Sequence, residues 1–264
     1  MEFASPTGRA DGRSTGAEME INKARFYKIV YDTTFDEHER YNIGTYKEKK
    51  LHIMMKRYFE DDPRYHEVPT NGFIADIRRD DAITEIETAG FTGLKPKLEA
   101  YLPDYRVTLV HPLAGRKYVS WIDPDTREIS GRKRSPKKEG LYDLLFEMVY
   151  ILPYVADPKL TVLGPVLEMD EYRLLDGWSR DRKRGSHRYE RVPIDLYDMI
   201  ELAGDEDYRR AIPESLGERF TVKDFRSAVR LADFPARAIV KVLLARGVIR
   251  ESGKDGRSMT YARI

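Results

Sequence analysis

Two short stretches that alternate apolar and polar residues are the most informative pattern in the chain. They are residues 72–77 (Gly-Phe-Ile-Ala-Asp-Ile) and residues 82–88 (Ala-Ile-Thr-Glu-Ile-Glu-Thr), with four charged residues between them. Alternation with a period of two predicts two β-strands joined by a tight turn. If Ile77 pairs with Ala82, the hairpin carries its carboxylates on one face and its apolar side chains on the other. The predicted acidic face has Asp76, Glu85 and Glu87, and the predicted apolar face has Phe73, Ala75, Ile77 and Ile86.

Three carboxylates on one face would repel each other unless a positive group lay between them. Oxygen-rich clusters suit Mg²⁺ or Mn²⁺, so the pattern predicts a metal-dependent hydrolase. The alternative is a solvated face, because an antiparallel hairpin commonly exposes one side to water.

The flanking sequence bears on this choice. The expected elements are a strand at 26–31, a helix at 43–60, a helix at 91–101, strands at 106–110 and 117–122, a helix at 139–152, and one or two strands within 160–175. The connection from the Glu85 strand through a helix to the next strand is long enough to make those strands parallel. We therefore expect an α/β fold, with a mixed sheet flanked by helices, in which buried acids need a partner.

The order of an acid on a first helix, an Asp strand, a Glu-x-Glu strand, a helix and a further strand resembles the core of the PD-(D/E)xK nuclease superfamily, which has a restriction-endonuclease-like fold. The similar motifs are Gly72–Asp76 and Ile83–Glu87, and the resemblance covers about residues 40–120. It implies that Asp76 and Glu85 bind Mg²⁺ or Mn²⁺, with the Ile86 carbonyl as a further ligand.

Two positions of this resemblance leave alternatives open. Glu48 matches the acid of the first helix, but it could equally pair with His52 one helical turn later. Glu87 stands where the superfamily usually has a lysine. Glu87 could act as a base for a metal-activated water, or Lys97 or Lys95 on the next helix could supply the cation, or the chain could be an inactive copy of the fold.

The C-terminal part has a compact pattern of its own. Thr221-Val-Lys-Asp224 predicts a helix cap, Pro235 suits the start of a second helix, and Gly247 suits its end. Two strands joined by a turn should follow, and this order resembles a winged helix. The module could bind DNA or pack against protein. As a DNA reader it would present Arg237, Lys241, Lys254 and Arg257, with Arg246 as a further candidate.

A basic segment lies between the two parts. Residues 177–191 combine arginines and a lysine with Trp178 and Tyr189, which suits contact with phosphates and stacking on bases. The alternative is a solvated loop. The nucleic-acid-binding candidates of this segment are Arg180, Arg182, Lys183, Arg184 and Arg188.

Composition sets the remaining limits. Forty-six basic and 45 acidic residues leave a net charge of +1, so any basic surface must be local. The absence of cysteine excludes disulfides and thiolate sites. Without an apolar run of membrane-spanning length, the expected location is cytoplasmic. The expected organisation is a disordered leader (1–20), a nuclease-like domain (21–175), a basic linker (176–205) and a winged-helix domain (206–264).

These observations predict a Mg²⁺- or Mn²⁺-dependent nuclease acting on DNA, in which Asp76, Glu85, Glu87, Glu48 and Lys97 form the catalytic site. The alternative is a non-catalytic DNA-binding regulator, or an interaction protein, built on a degenerate nuclease fold. A homodimer, and a protein partner bound through the winged helix, are also compatible with the sequence.

Overall fold

The computed structural model describes residues 21–35, 50–177 and 185–264, which form a mixed α+β structure. The helices in these ranges are α1 (Lys23–Phe35), α2 (Lys50–Phe59), α3 (Lys95–Tyr101), α4 (Leu141–Glu147), α5 (Asp205–Arg209), α6 (Val222–Val229) and α7 (Asp233–Arg246). Two 3₁₀ helices span Pro63–Tyr65 and Met148–Tyr154. The strands are β1 (His66–Thr70), β2 (Phe73–Arg79), β3 (Ala82–Ile86), β4 (Arg106–Val110), β5 (Leu113–Ile122), β6 (Lys133–Arg134), β7 (Leu160–Leu174), β8 (His187–Leu202), β9 (Arg219–Thr221), β10 (Ile249–Asp255) and β11 (Ser258–Arg263).

Strands β1 to β8 form one mixed sheet. Its order is β1-β2-β3-β4-β7-β5-β6, and β8 pairs with β7. Strands β3 and β4 are parallel, as are β4 and β7 and also β5 and β7. The expected crossover from the Glu85 strand through a helix to a parallel neighbour is therefore confirmed, and so is the mixed sheet flanked by helices.

Apolar side chains cover both faces of this sheet. Ile83 and Leu109 belong to a core cluster that includes Leu98 and Tyr101 of α3. On the other face, Ile86 packs in a second cluster that includes residues of α1 and α2. Because helices cover both sides, an acid on β3 is buried, and the solvated-face alternative does not hold for Glu85.

The hairpin has a different register from the predicted one. Ile77 pairs with Thr84 rather than with Ala82, and the turn is only Asp80 and Asp81. Asp80 takes a left-handed conformation with φ of 51°, which aspartate tolerates better than most residues. Because the register shifts by two residues, each side chain of β3 stays on the face that the predicted register gave it.

The predicted apolar face of the hairpin is wrong. Phe73 and Ala75 pack in the cluster that contains Ile83, whereas Ile86 lies in the other cluster. The ladder between β2 and β3 ends at the pair Ile77–Thr84, and the earlier residues of β2 pair with β1. The alternation of apolar and polar residues within each strand therefore does not tell which residues of β2 lie on the same side of the sheet as those of β3.

Other local predictions need correction. The predicted strand at 26–31 lies within helix α1, where Phe26 and Thr33 are buried two turns apart and Tyr27 and Tyr31 are exposed. The predicted helix at 139–152 is α4 followed by a 3₁₀ segment that contains Pro153. A proline lacks the N–H that a continuing α-helix requires.

Much of the predicted basic linker is a strand. Residues 187–202 form β8, which pairs with β7 from Leu174 back to Val162. Its inward residues include Leu196 and Leu202, both fully buried. The other face of β8 is exposed and carries many charged residues. These charged residues make the alternation of buried and exposed positions hard to recognise in the sequence.

Residues 204–264, the C-terminal module, consist of α5, β9, α6, α7 and the hairpin β10–β11. Thr221 caps α6 through a reciprocal hydrogen-bonded box with Asp224, and Gly247 ends α7 with a φ of 81°, both as predicted. The hairpin turn lies at Gly256 and Arg257, later than expected. Apolar residues of α7 share one core cluster with α4 and the adjacent 3₁₀ segment.

No helix in the described ranges combines the length and the apolar character needed to span a membrane.

Candidate functional site

The predicted carboxylates come together where β2 and β3 separate. Asp76 and Glu85 are the next residues along the two strands beyond the Ile77–Thr84 pair. The backbone N–H of Ile86 donates to Oδ2 of Asp76 at 2.7 Å. Oδ2 of Asp76 therefore takes the place of the backbone carbonyl of a neighbouring strand, which would otherwise accept this hydrogen bond. We call Asp76, Glu85 and Glu87 the acid cluster.

Helix α2 contributes His52 to this cluster. Its Nε2 atom lies 3.2 Å from Oδ2 of Asp76. Burial alone would raise the pKa of Asp76, but the hydrogen bond and charge of His52, the Ile86 N–H and the charge of Lys97 lower it overall. Asp76 is therefore ionised at neutral pH. From sequence, His52 is expected only as a partner of Glu48, because its contact with β2 depends on how α2 packs on the sheet.

Glu85 is the most buried member of the acid cluster, with 1% of its surface exposed. Its Oε2 atom accepts a hydrogen bond of 2.6 Å from Nζ of Lys97 on α3. Burial and the charge of Asp76 nevertheless raise the pKa of Glu85 to about 7. Its other oxygen, Oε1, is buried and has no hydrogen-bond partner among the described residues.

A second unsatisfied polar atom lies beside Glu85. The hydroxyl of Tyr101, on α3, is buried and finds no partner in the part of the chain that the structure describes. Burial raises the pKa of Tyr101, and the charges of Glu85 and Asp76 raise it further. Buried polar groups in proteins are rarely left without a partner. Two of them at one place indicate that the site takes up a further group, such as water or an ion.

Glu87 is half-buried, and its backbone is held firmly. Its N–H donates to the carbonyl of Val110 at 2.8 Å, and its carbonyl accepts from Nδ1 of His111 at 2.6 Å. Burial, followed by the charge of Asp76, raises the pKa of the Glu87 carboxyl to about 7. A carboxyl with this pKa can exchange a proton near neutral pH. His111 is not among the residues predicted from sequence; it lies at the end of β4 and is brought here by the parallel pairing of β3 and β4.

The acid cluster has one lysine for three carboxylates. Lys97 reaches Glu85, whereas Lys95, two residues earlier, is exposed. Burial tends to lower the pKa of Lys97, but its hydrogen bond with Glu85 and the surrounding negative charge raise it overall, so it stays protonated. Negative charge therefore exceeds positive charge, and this arrangement favours binding of a cation.

Among the described residues, no group of three or more histidine, aspartate or glutamate side chains is placed to hold a metal ion. Asp76 and Glu85 instead each offer one oxygen without a hydrogen bond within the described ranges, Oδ1 and Oε1 respectively. Mg²⁺ commonly uses only one or two carboxylates and completes its shell with water and substrate oxygens. The donor set therefore fits a hydrated divalent ion.

The other predicted site residues do not join this cluster. Glu48, Arg180, Arg182, Lys183 and Arg184 lie outside the described residues. Arg188 lies on β8. Arg237 and Lys241 lie on α7, and Lys254 and Arg257 lie on or beside the β10–β11 hairpin. Arg237 pairs with Asp233 at 2.6 Å, and Arg246 is held by Asp205 and two backbone carbonyls.

Comparison with known proteins gives a family without an assigned activity. Residues 49–203 match the family model described as a domain of unknown function, DUF8091. An uncharacterized protein of Treponema pallidum (strain Nichols) is 29% identical over 226 residues, which cover 83% of this chain and 86% of the relative. No solved structure gives a significant match. The match begins just before α2 and ends just after β8, so it contains the acid cluster and the β1–β8 sheet. The chain therefore belongs to the DUF8091 family.

Proposed function

We propose that the acid cluster is the active site of a divalent-metal-dependent phosphodiesterase that acts on DNA. The observation that carries this proposal is the state of Glu85. One oxygen of this buried carboxylate accepts a hydrogen bond from Lys97, and the other has no hydrogen-bond partner among the described residues. Burial and the charge of Asp76 raise the pKa of Glu85 to about 7. Keeping such a group costs stability, and a bound cation would offset that cost.

Asp76 and Glu85 would hold the metal through their free oxygens, and the Ile86 carbonyl is a further candidate ligand. When bound, Mg²⁺ or Mn²⁺ would polarise a phosphoryl oxygen and lower the pKa of a water. His52 and the Ile86 N–H fix the orientation of Asp76. Glu87 would accept the proton of the attacking water, for which a pKa near 7 is suitable.

Lys97 would take the place of the lysine that the superfamily usually has where this chain has Glu87. Its ammonium group is 2.6 Å from Glu85 and is only partly exposed. A protonated lysine at this position can stabilise the charge that develops on the phosphate. The restriction-endonuclease-like core and the winged helix belong to this proposal. The order α5, β9, α6, α7 and the hairpin β10–β11 supports the second.

DNA is the proposed substrate because exposed cations on the C-terminal module suit a phosphate backbone. Lys241, Lys254 and Arg257 are exposed and form no ion pair with the described residues. Arg237 is also exposed, although it pairs with Asp233. Helix α7 buries six of its 14 residues and shares a core cluster with α4 and the 3₁₀ segment, so the hairpin offers the more accessible contacts.

The test is cleavage of supercoiled plasmid and single-stranded DNA with Mg²⁺ or Mn²⁺. Wild type should nick DNA only with metal, and Asp76→Asn and Glu85→Gln should reduce cleavage by about a hundredfold or more. Glu99→Gln, an exposed change on α3, is the matched control. Metal binding is measured separately by calorimetry, and wild type that neither binds metal nor cuts would contradict the proposal.

A second candidate is a DNA-binding regulator on an inactive copy of the fold. The observation in its favour is Glu87 itself, since the usual catalytic lysine is replaced by a residue of opposite charge. A gel-shift measurement in EDTA separates the two. Tight binding of DNA by wild type and Asp76→Asn alike, together with no cleavage by either, would favour the regulator.

A further inference from the structure

A cavity of about 390 Å³ lies immediately beyond the end of β3. One wall is formed by Thr88 and Ala89, which follow Glu87 directly, and another by Leu231 and Pro235 of the C-terminal module. Its volume is within the range of small-molecule sites. We call it the basic cavity, and both parts of the molecule enclose it.

Arg191 of β8 is the buried cation of the basic cavity. Only 8% of its surface is exposed, and one Nη atom donates to the carbonyl of Thr88. Its guanidinium forms no ion pair with the described residues, and the contact with Thr88 is the one hydrogen bond that its side chain makes with them. Burial, followed by the charge of Arg188, lowers the pKa of Arg191 to about 10. A buried guanidinium with no ion-pair contact is costly, and the charges of Glu139, Glu171 and Glu190 offset this cost only in part, since the pKa of Arg191 is lowered overall. This arrangement favours an anionic ligand.

The surroundings of Arg188 add further positive charge. Glu171, only 1% exposed, lies 3.1 Å from Lys117, 3.0 Å from Arg173 and 3.5 Å from Arg188. One carboxylate thus serves three cations. Arg188 makes the longest of these contacts and also lines the basic cavity, so its charge is the least compensated.

The carboxylates that line the basic cavity are engaged elsewhere. Each accepts a hydrogen bond from a backbone N–H, and two of them also contact Lys137. The pairs are Glu139 with Ala114 at 2.9 Å, Asp143 with Gly140 at 3.1 Å, and Glu147 with Phe91 at 3.2 Å. None of the three forms an ion pair with Arg188 or Arg191, although the charge of Glu139 still raises the pKa of Arg191.

We propose that the basic cavity is a phosphate-binding site in which Arg191 and Arg188 bind a phosphate group of the nucleic-acid strand that is cut at the acid cluster. The phosphate chemistry follows from the two guanidinium groups, which match phosphate oxygens in geometry and charge. The assignment to the strand rests on the proposed function. His111 supports it, because its ring lines the basic cavity while its Nδ1 donates to the carbonyl of Glu87.

Calorimetry in EDTA, where no metal-dependent cleavage takes place, tests the site on the full chain. The probes are inorganic phosphate and one single-stranded oligonucleotide, prepared with a 5′-phosphate and with a 5′-hydroxyl. Arg191→Gln should weaken phosphate binding by about tenfold or more, and Arg188→Gln by about threefold or more. Arg191→Lys keeps the positive charge but loses the planar guanidinium group with its paired N–H donors, so its affinity for phosphate should lie between those of wild type and Arg191→Gln. Arg106→Gln, at the opposite end of β4, is the control.

Weaker phosphate binding in both glutamine variants, with the control unchanged, supports the site even if Arg191→Gln is less stable, because Arg188 is largely exposed. If affinity depends on Arg188 only for the 5′-phosphorylated strand, the bound group is a terminal phosphate. If both strands depend on it, the group is internal. Binding of free phosphate alone would overturn the link to the strand, and no phosphate binding by wild type would overturn the site. Asp76→Asn should bind phosphate normally, so loss of cleavage and loss of this site are distinguishable.

Discussion

The ammonium group of Lys97 lies 2.6 Å from Oε2 of Glu85, so a helix supplies the cation that the strand motif lacks. Lys97→Met should leave the acid cluster without a lysine and reduce DNA cleavage by about a hundredfold. It should also raise the pKa of Glu85 further, because the Lys97 hydrogen bond and charge now lower that pKa.

The control for this change is Lys95→Met, since Lys95 is exposed on the same helix. Cleavage rates of both variants are compared with wild type. Equal activity of Lys97→Met and Lys95→Met would contradict the role assigned to Lys97.

The contribution of Glu85 and Glu87 to stability in EDTA should fall as pH rises through the window between about 4.5 and 7. Glu85 and Glu87 have pKa values near 7 in the folded protein, above the ordinary value of 4.5. The folded state therefore binds more protons than the unfolded state in this window, and raising the pH removes that advantage. Asp76, with a lowered pKa, contributes only below this window.

Urea unfolding at pH 5 and pH 8 measures this effect. Glu85→Gln and Glu87→Gln should each reduce the loss of stability at pH 8 by roughly 1 to 3 kcal/mol. Glu99→Gln should leave the pH dependence unchanged. If neither glutamine variant reduced the loss of stability between pH 5 and pH 8, the arrangement of the acid cluster would be contradicted.

Mg²⁺ should raise the melting temperature more at pH 8 than at pH 6. At the higher pH both glutamates are ionised, so a cation relieves more repulsion. At a concentration well above its Kd, the expected rise at pH 8 is about 5 °C. Asp76→Asn should lose most of this rise, whereas Glu99→Gln should retain it, and the same shift in both variants would place the metal elsewhere.

Tyr101→Phe should leave the free energy of unfolding within about 1 kcal/mol of wild type, because the buried hydroxyl has no partner among the described residues. Tyr101→Ala should cost about 3 to 5 kcal/mol, since the ring is fully buried and contacts Phe73. Denaturant unfolding in EDTA measures both variants. A large loss in Tyr101→Phe would show that the hydroxyl has a structural partner.

Leu243→Ala on α7 should lower stability by about 2 to 5 kcal/mol and should destabilise the whole chain in one transition. Leu243 is fully buried in the cluster that also contains Leu144 of α4 and Ile239 of α7. Calorimetric unfolding checks this. A first transition that affects only residues 204–264 would show that the C-terminal module unfolds independently.

Local chemistry explains which elements were predictable. The strand Arg106–Val110, the Thr221–Asp224 cap and the glycine stop at Gly247 all depend on neighbouring residues, and all three are confirmed. Segments with competing signals were harder. Phe26–Tyr31 is rich in β-formers and yet is helical, because Phe26 packs in a core cluster with residues of α2 and the sheet. Propensity is a weak guide when tertiary contacts decide.

The sequence by itself determined the residue types of the acid cluster, the parallel crossover that buries Glu85, and the order of elements in the C-terminal module. Only the tertiary structure decided the partners. His52 reaches Asp76 through helix packing, Lys97 reaches Glu85 across the crossover, and Arg191 reaches the end of β3 from a strand about a hundred residues later. Such contacts depend on the relative positions of whole elements, and alternation within one segment carries no information about them.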